Sequence, residues 1–238
     1  MRRTLIALTI CTMTLSSLSA QSKKFYKRET ALIFYELTID GGYMQKFEQY
    51  EQLFSPSKDS KRHPIKNQML YTSWDMVRQA LEQQTGMLIV PMDAYGKRFT
   101  YNDYGFPNND YGFPNMTANK AISKGESRYY LRFDISLKPE ANPIYSTNAQ
   151  KPDSLLTVLE PNQIQPILTI DITIYPNKGV LPVCKATITH KAPEPMELNA
   201  ELFDGFVNDK ATITPTNIYG LLHEALLQLG STIFANLR

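Results

Sequence analysis

Three segments of this chain alternate apolar and polar side chains with a period of two, and that period leaves few folds open. Tyr129, Leu131, Phe133, Ile135 and Leu137 alternate with Tyr130, Arg132, Asp134 and Ser136. Leu168, Ile170, Ile172 and Ile174 alternate with Thr169, Asp171, Thr173 and Tyr175, and Cys184, Ala186 and Ile188 with Lys185, Thr187 and Thr189. Successive side chains of a strand point to opposite faces, so each segment has one dry face and one wet face. That is the signature of an antiparallel sheet covered on one side only. The turn-forming link Pro176-Asn177-Lys178-Gly179 predicts that the last two strands form a hairpin. The cover is predicted to be a closing helix from about Thr216 to Leu237. There Ile218, Leu221, Leu222, Ala225, Leu226, Leu229, Ile233 and Leu237 recur with the 3.6-residue period of an amphipathic helix.

The earlier part adds compatible elements. Ile33, Tyr35, Leu37 and Ile39 share one face of a strand over residues 31–40, which Gly41-Gly42 ends. A short helix is expected around residues 44–54. A second helix is expected over 73–85, with Thr72 and Asp75 at its entrance and Gly86 at its exit. Met87 to Val90 reads as a short buried strand ended by Pro91. Residues 138–166 read as a long Pro-, Asn- and Ser-rich connection with an apolar knot at Leu155, Leu156, Val158 and Leu159. The sum is an α+β fold, a mostly antiparallel sheet with amphipathic helices packed on one face, in a single domain over 21–238.

Residues 1–20 precede that domain as a predicted signal peptide. Arg2 and Arg3 open it, Leu5 to Leu15 form a short apolar stretch, and Ser16, Ser17, Leu18, Ser19 and Ala20 close it. That is the order of an export signal. The apolar stretch is too short for a spanning helix, which needs about 20 residues. Cys11 lies inside that stretch and not after a small-residue site, which argues against a lipid anchor. Cleavage is expected before Gln21 or, one residue earlier, before Ala20. The expected location is periplasmic or secreted, in a gram-negative-type envelope, with no stable membrane insertion after cleavage.

Cleavage changes the charge argument. It removes Arg2 and Arg3 and no acid, leaving 23 basic against 23 acidic side chains. A balanced chain lacks the cationic surplus that nucleic-acid binding requires, and the same balance argues against a generally basic surface for anionic membranes. The basic run Lys23, Lys24, Lys27 and Arg28 reads as a solvated segment. One cysteine remains, Cys184, so no internal disulfide can form, and its place in an alternating strand makes it a buried small hydrophobe.

Residues 102–108, N-D-Y-G-F-P-N, are repeated letter for letter at 109–115. Each copy joins turn-forming residues to two aromatics, which predicts a loop at about 96–120. Tyr104, Phe106, Tyr111 and Phe113 are its candidate ligand-binding residues, because large exposed apolar groups mark contact sites. Asp153-Ser154-Leu155 matches a short acceptor pattern for O-glycosylation at Ser154, and Asn115-Met116-Thr117 fits an N-x-T acceptor. Chemistry is thinner. His223-Glu224 opens like a zinc-protease helix, but the second ligand position holds Leu227. Neither a serine elbow nor a phosphate-cradling glycine loop occurs. Asp134 and Asp171, both on wet strand faces, are the acids that could stand as neighbours for a hydrolase, but beside Arg132 and Lys185 they read more simply as cross-strand charge pairs. No metal site, cofactor or catalytic residue is expected.

The strand-helix-strand order around Trp74 to Pro91, followed by strands and a terminal amphipathic helix, resembles small periplasmic accessory domains of the LpoB, CsgG and TolB amino-terminal type. The resemblance covers about residues 31–238 and implies a non-catalytic accessory or structural module that binds another envelope component, a protein or a glycan, with self-association open to it. A carbohydrate or small-ligand binder using the aromatic loop is the alternative reading, and an acid-based hydrolase the third.

Overall fold

The computed structural model describes residues 24–56, 63–90, 114–140, 144–145, 158–208 and 213–237. Residues 1–20, and with them the expected signal peptide, lie outside these. Five strands form the main sheet: β1 (Glu29–Ile39), β2 (Leu88–Val90), β3 (Tyr129–Pro139), β4 (Pro166–Pro176) and β5 (Cys184–Lys191), in the order β2-β1-β3-β4-β5. The β3-β4 and β4-β5 ladders are antiparallel, and β1 pairs parallel with both β2 and β3. Most paired residues of the sheet therefore stand in antiparallel ladders, and the expected β4-β5 hairpin is present. Two short ladders, 144–145 with 158–159 and 163–164 with 196–197, stand apart from the sheet.

Among the described residues five α-helices accompany the sheet: α1 (Gly41–Phe47), α2 (Pro64–Thr85), α3 (Ala118–Lys124), α4 (Ile218–Leu227) and α5 (Leu229–Ala235). The α+β class follows, with α2, α4 and α5 packed against one face of the sheet. Under them the apolar strand positions line up in rows. Tyr35, Phe133, Ile172 and Ala186 form one row and Leu37, Ile135, Ile170 and Ile188 the next. All eight are buried. Trp74 of α2 meets the Tyr35 ring edge-on at 5.1 Å, while the Tyr35 hydroxyl bonds Ser73 at 3.0 Å. At one end Phe47 and Phe54 close edge-on around Phe203.

Four local features differ from the sequence expectation. In β1 the register shifts between Leu32 and Phe34. This bulge turns Ile33 away from Tyr35, Leu37 and Ile39, so it packs with Ala31 and Tyr130 on the opposite face. Helix α2 begins at Pro64 and not at residue 73, because proline's missing amide costs nothing in a first turn. Thr72 is consequently mid-helix, its hydroxyl donating to the Gln68 carbonyl at 2.8 Å. The exit at Gly86, with φ of 73°, is as expected. The strand does end before Gly41-Gly42, but those two residues already begin α1, ahead of the helix expected around 44–54, with the Asp40 carboxylate capping Gly42. The closing helix is broken at Gln228. There the Gln84 carboxamide reaches from α2, donating to the Leu226 carbonyl and accepting from the Gly230 amide, each at 2.8 Å. One side chain thus satisfies backbone groups on both sides of the break, and Gly230 is small enough to lie against it.

Candidate functional site

The second face of the sheet carries the polar alternates of the same strands. Its rows run across four strands: Phe34, Arg132, Thr173 and Lys185, then Glu36, Asp134, Asp171 and Thr187, then Thr38, Ser136, Thr169 and Thr189. At one corner α3, capped by the Thr117 hydroxyl, covers a small cluster of Ala31, Ile33, Met116, Ala121 and Tyr130. This helix falls at the end of the segment that the sequence predicts as a loop, and it explains why Tyr130, a wet-side position by alternation, is buried. Beyond Phe34, which packs against this cluster, no described helix covers these rows. A sheet face of this kind offers alternating hydroxyls, carboxylates and cations at the strand spacing of about 4.8 Å.

Arg132 organises the apolar side of this lattice. Its guanidinium lies 3.7 Å from the Phe34 ring centre and donates to both Asp134 oxygens, at 2.7 and 3.0 Å. Asp134 and Asp171 are direct cross-strand partners, so the two acids singled out in the sequence are brought together. The Thr187 hydroxyl donates to Asp171 at 2.6 Å. Each carboxylate thus has a donor of its own on a face open to water, the arrangement of a cross-strand polar pair.

Elsewhere, a groove of about 380 Å³ runs between α2 and α4 past Asp75, Gln79, Gln83, Tyr219 and His223. Burial, with the negative Asp75 nearby, pushes the Tyr219 phenol above its ordinary range. The three histidines stand on separate elements. His63 Nε2 is 3.6 Å from Glu51, His190 faces Gln228 at 3.4 Å, and His223 is 3.8 Å from Glu224 of its own helix. Among the described residues no group of three or more His, Cys, Asp or Glu is placed to hold a metal ion. Cys184 is buried and free, as its strand position predicts. Burial pushes its thiol up to about 11, against a weaker lowering by Lys24.

Tyr104, Phe106, Tyr111 and Phe113 lie outside the described residues, as does Ser154. The attachments of the aromatic segment are described. Val90, the last residue of β2, pairs with Ala31, and Asn115 bridges Phe34 on the same side of β1. The Tyr35 amide donates to Pro114 and the Met116 amide to Ile33, at 3.2 and 2.8 Å. The segment therefore leaves and rejoins β1 three residues apart, roughly 10 Å at the rise of a strand, beside Phe34 and Val90, which pack against the cluster at the α3 corner of this face.

No protein family matches this chain, and no curated protein does. Among solved structures, it is similar to the hypothetical protein CT253 of Chlamydia trachomatis, at 9% identity and a TM-score of 0.38 over 88% of this chain and 99% of that one. A neuraminyllactose-binding hemagglutinin homolog from Helicobacter pylori aligns at 10% identity and a TM-score of 0.28, over 89% and 88% of the two chains.

Sequence reasoning finds the wet strand faces but not their registry or the α3 corner. The registry depends on the β1 bulge and on parallel pairing of β1 with β3, neither of which a periodic pattern encodes. The Asn and Pro that end each heptad are the available signal for the Asn115 bridge.

Proposed function

We propose that this chain is an exported, non-catalytic accessory module of a gram-negative-type envelope, which binds another envelope component at its uncovered sheet face. Tyr104, Phe106, Tyr111 and Phe113 are the contact residues of this reading. The observation that carries it is the placement of their segment's two attachments, at Val90 and Asn115, along the β1 edge of that face. A segment carrying four aromatics, attached at the edge of a field of hydroxyls and charges, supplies what a protein interface needs, an apolar centre with a polar rim. The amino-terminal export pattern supports a partner in the envelope.

The test is site-specific photo-crosslinking in the producing cells, with the probe at Thr189 or Asp171, both exposed, and at Tyr71 of α2 on the covered side as the control. A discrete protein adduct from Thr189 and Asp171, absent from the Tyr71 probe and lost on removal of one heptad, is the expected result. Adducts that vanish when free oligosaccharide is added turn the reading to a glycan ligand. No adduct from either face position sinks it.

A further inference from the structure

The balanced charge of the mature chain conceals a strong polarity. At one end of the sheet β1, β2 and β3 begin, β4 ends and β5 begins, as the pairs Thr30–Tyr129, Tyr129–Pro176 and Ile174–Cys184 require. Lys24, Lys27 and Arg28 lead into β1 there, with Phe25 packed edge-on against Tyr129. Lys124 and Arg128 stand before β3, and Lys178 and Lys185 flank the tip of the β4-β5 hairpin. The Asn177 amide ties that tip to the Arg128 carbonyl at 3.1 Å. Against these cations the described residues of this end set the carboxylates Glu29, Glu82 and Glu126. The opposite end reverses the balance, with Asp40, Glu140, Glu160, Glu194 and Glu197 against Lys138 and Lys191. The basic run near the chain start, which the sequence alone presents as a solvated segment, is therefore one part of a larger cationic pole.

The same pole is apolar where it should not be. Seven large hydrophobic side chains are well exposed among the described residues, and four of them are here: Tyr26 (56%), Leu88 (46%), Val180 (53%) and Leu181 (81%). Tyr26 and Leu88 sit at the β1-β2 side and Val180-Leu181 project from the hairpin tip at the β4-β5 side. Strand spacing sets these two points roughly 15–20 Å apart, with cations between and around them.

From this we infer that the cationic end of the sheet is a peripheral membrane-binding surface, which seats on an anionic bilayer with Leu181 and Val180 entering the headgroup layer. Charge complementarity and geometry select this occupant. Two apolar points separated by a belt of Lys and Arg meet a plane whose surface is anionic and whose layer beneath is apolar. A soluble polyanion would satisfy the cations and leave Leu181 in water. The contact is interfacial and requires no spanning segment. It is independent of the partner proposed for the uncovered face, since it rests on the strand ends, and of the cations named here Lys185 alone also stands in a row of that face. Failure of the crosslinking leaves it standing, and the reverse holds as well.

The exported protein should co-sediment with phosphatidylethanolamine–phosphatidylglycerol vesicles, much less with phosphatidylcholine alone, and should be released by salt. Arg28→Glu with Lys178→Glu should weaken that binding by more than tenfold, at about fivefold for each charge removed. Leu181→Ser should weaken it by about tenfold, the effect of withdrawing one aliphatic side chain from an apolar layer. All three positions are exposed, so unchanged thermal melts are expected and separate lost binding from lost folding. In Leu181→Trp the emission should shift to the blue on adding the anionic vesicles, whereas the native Trp74 is buried and stays constant. Absence of sedimentation at low salt overturns the inference, as does a Leu181→Trp emission that does not move. Full binding by Leu181→Ser with competition by dextran sulfate would show a soluble-polyanion site instead.

Discussion

The two faces of the sheet are built from alternate residues of the same strands and share one backbone, yet one is buried under helices and the other is largely wetted. On the covered face Tyr35, Phe133, Ile172 and Ala186 stand side by side, all but fully removed from water. One residue along each strand, Glu36, Asp134, Asp171 and Thr187 form the matching row on the other face, partly or fully wetted. Burial of apolar surface is the dominant favourable term in folding, so the information that specifies the fold is concentrated on the first face. The second face is freer to vary its chemistry, because exposed polar pairs contribute little to stability. A sheet of this kind separates the residues that hold it together from those available for recognition.

Neighbouring substitutions offer the hardest blow to that contrast. Phe133→Ala removes a ring buried among Tyr35, the strand rows and the helices, and should cost about 3–5 kcal/mol in urea unfolding. Asp134→Ala, one residue on, removes the carboxylate that Arg132 grips, and should cost less than about 1 kcal/mol because the pair is partly exposed. Equal losses from the two would mean that the uncovered face is a second core.

Alkaline unfolding sharpens the comparison with a smaller effect. Cys184 lies on the covered face, and burial raises its thiol from an ordinary value of 9.0 to about 11. The unfolded chain therefore releases this proton first as pH rises. The stability it contributes is complete below about pH 9 and is lost between about pH 9 and 11. Tyr35, also buried and raised for the same reason, extends the fall to higher pH. Thermal melts from pH 8 to 10.5 should decline, and Cys184→Ala should decline less steeply over the first part of that range. Identical slopes for the two proteins would show that the thiol is not held neutral by burial.

How much of this is legible in the sequence follows from which forces act locally. The alternation in β3, β4 and β5 and the turn at Asn177 reveal their faces and their hairpin, because period and turn chemistry are properties of short segments. The α+β class follows from the same patterns. Helix α2 reads short at its start because a T-x-x-D string looks the same in mid-helix as at an entrance. The break between α4 and α5 is invisible, since it depends on Gln84, more than 140 residues away. The candidate surface is half legible. Asp134 and Asp171 belong to wet faces by period, but their cross-strand contact needs the register. The cationic pole cannot be read at all, because parallel pairing of β1 with β3 brings Arg28 beside Arg128 and a balanced total hides where each charge falls.

The smallest effect on stability is expected from the twin heptads. Because residues 102–108 and 109–115 are identical, deleting either copy produces one and the same chain. Pro107 and Asn108 then precede Met116 and can take over the backbone roles of Pro114 and Asn115, accepting from Tyr35 and bridging Phe34. Shortening the segment by seven residues changes the closure entropy by only a fraction of 1 kcal/mol. The melting temperature should therefore stay within about a degree of the parent, since a 1 kcal/mol change shifts a domain of this size by about 2–4 °C. Binding to the crosslinked partner should nevertheless weaken at least tenfold, because the deletion takes away two of four aromatic anchors. A drop of several degrees, with new apolar surface exposed to a dye, would mean that these rings are packed as core against the sheet. The contrast between a face that folds the chain and a face that is free to bind would then fail at its aromatic edge.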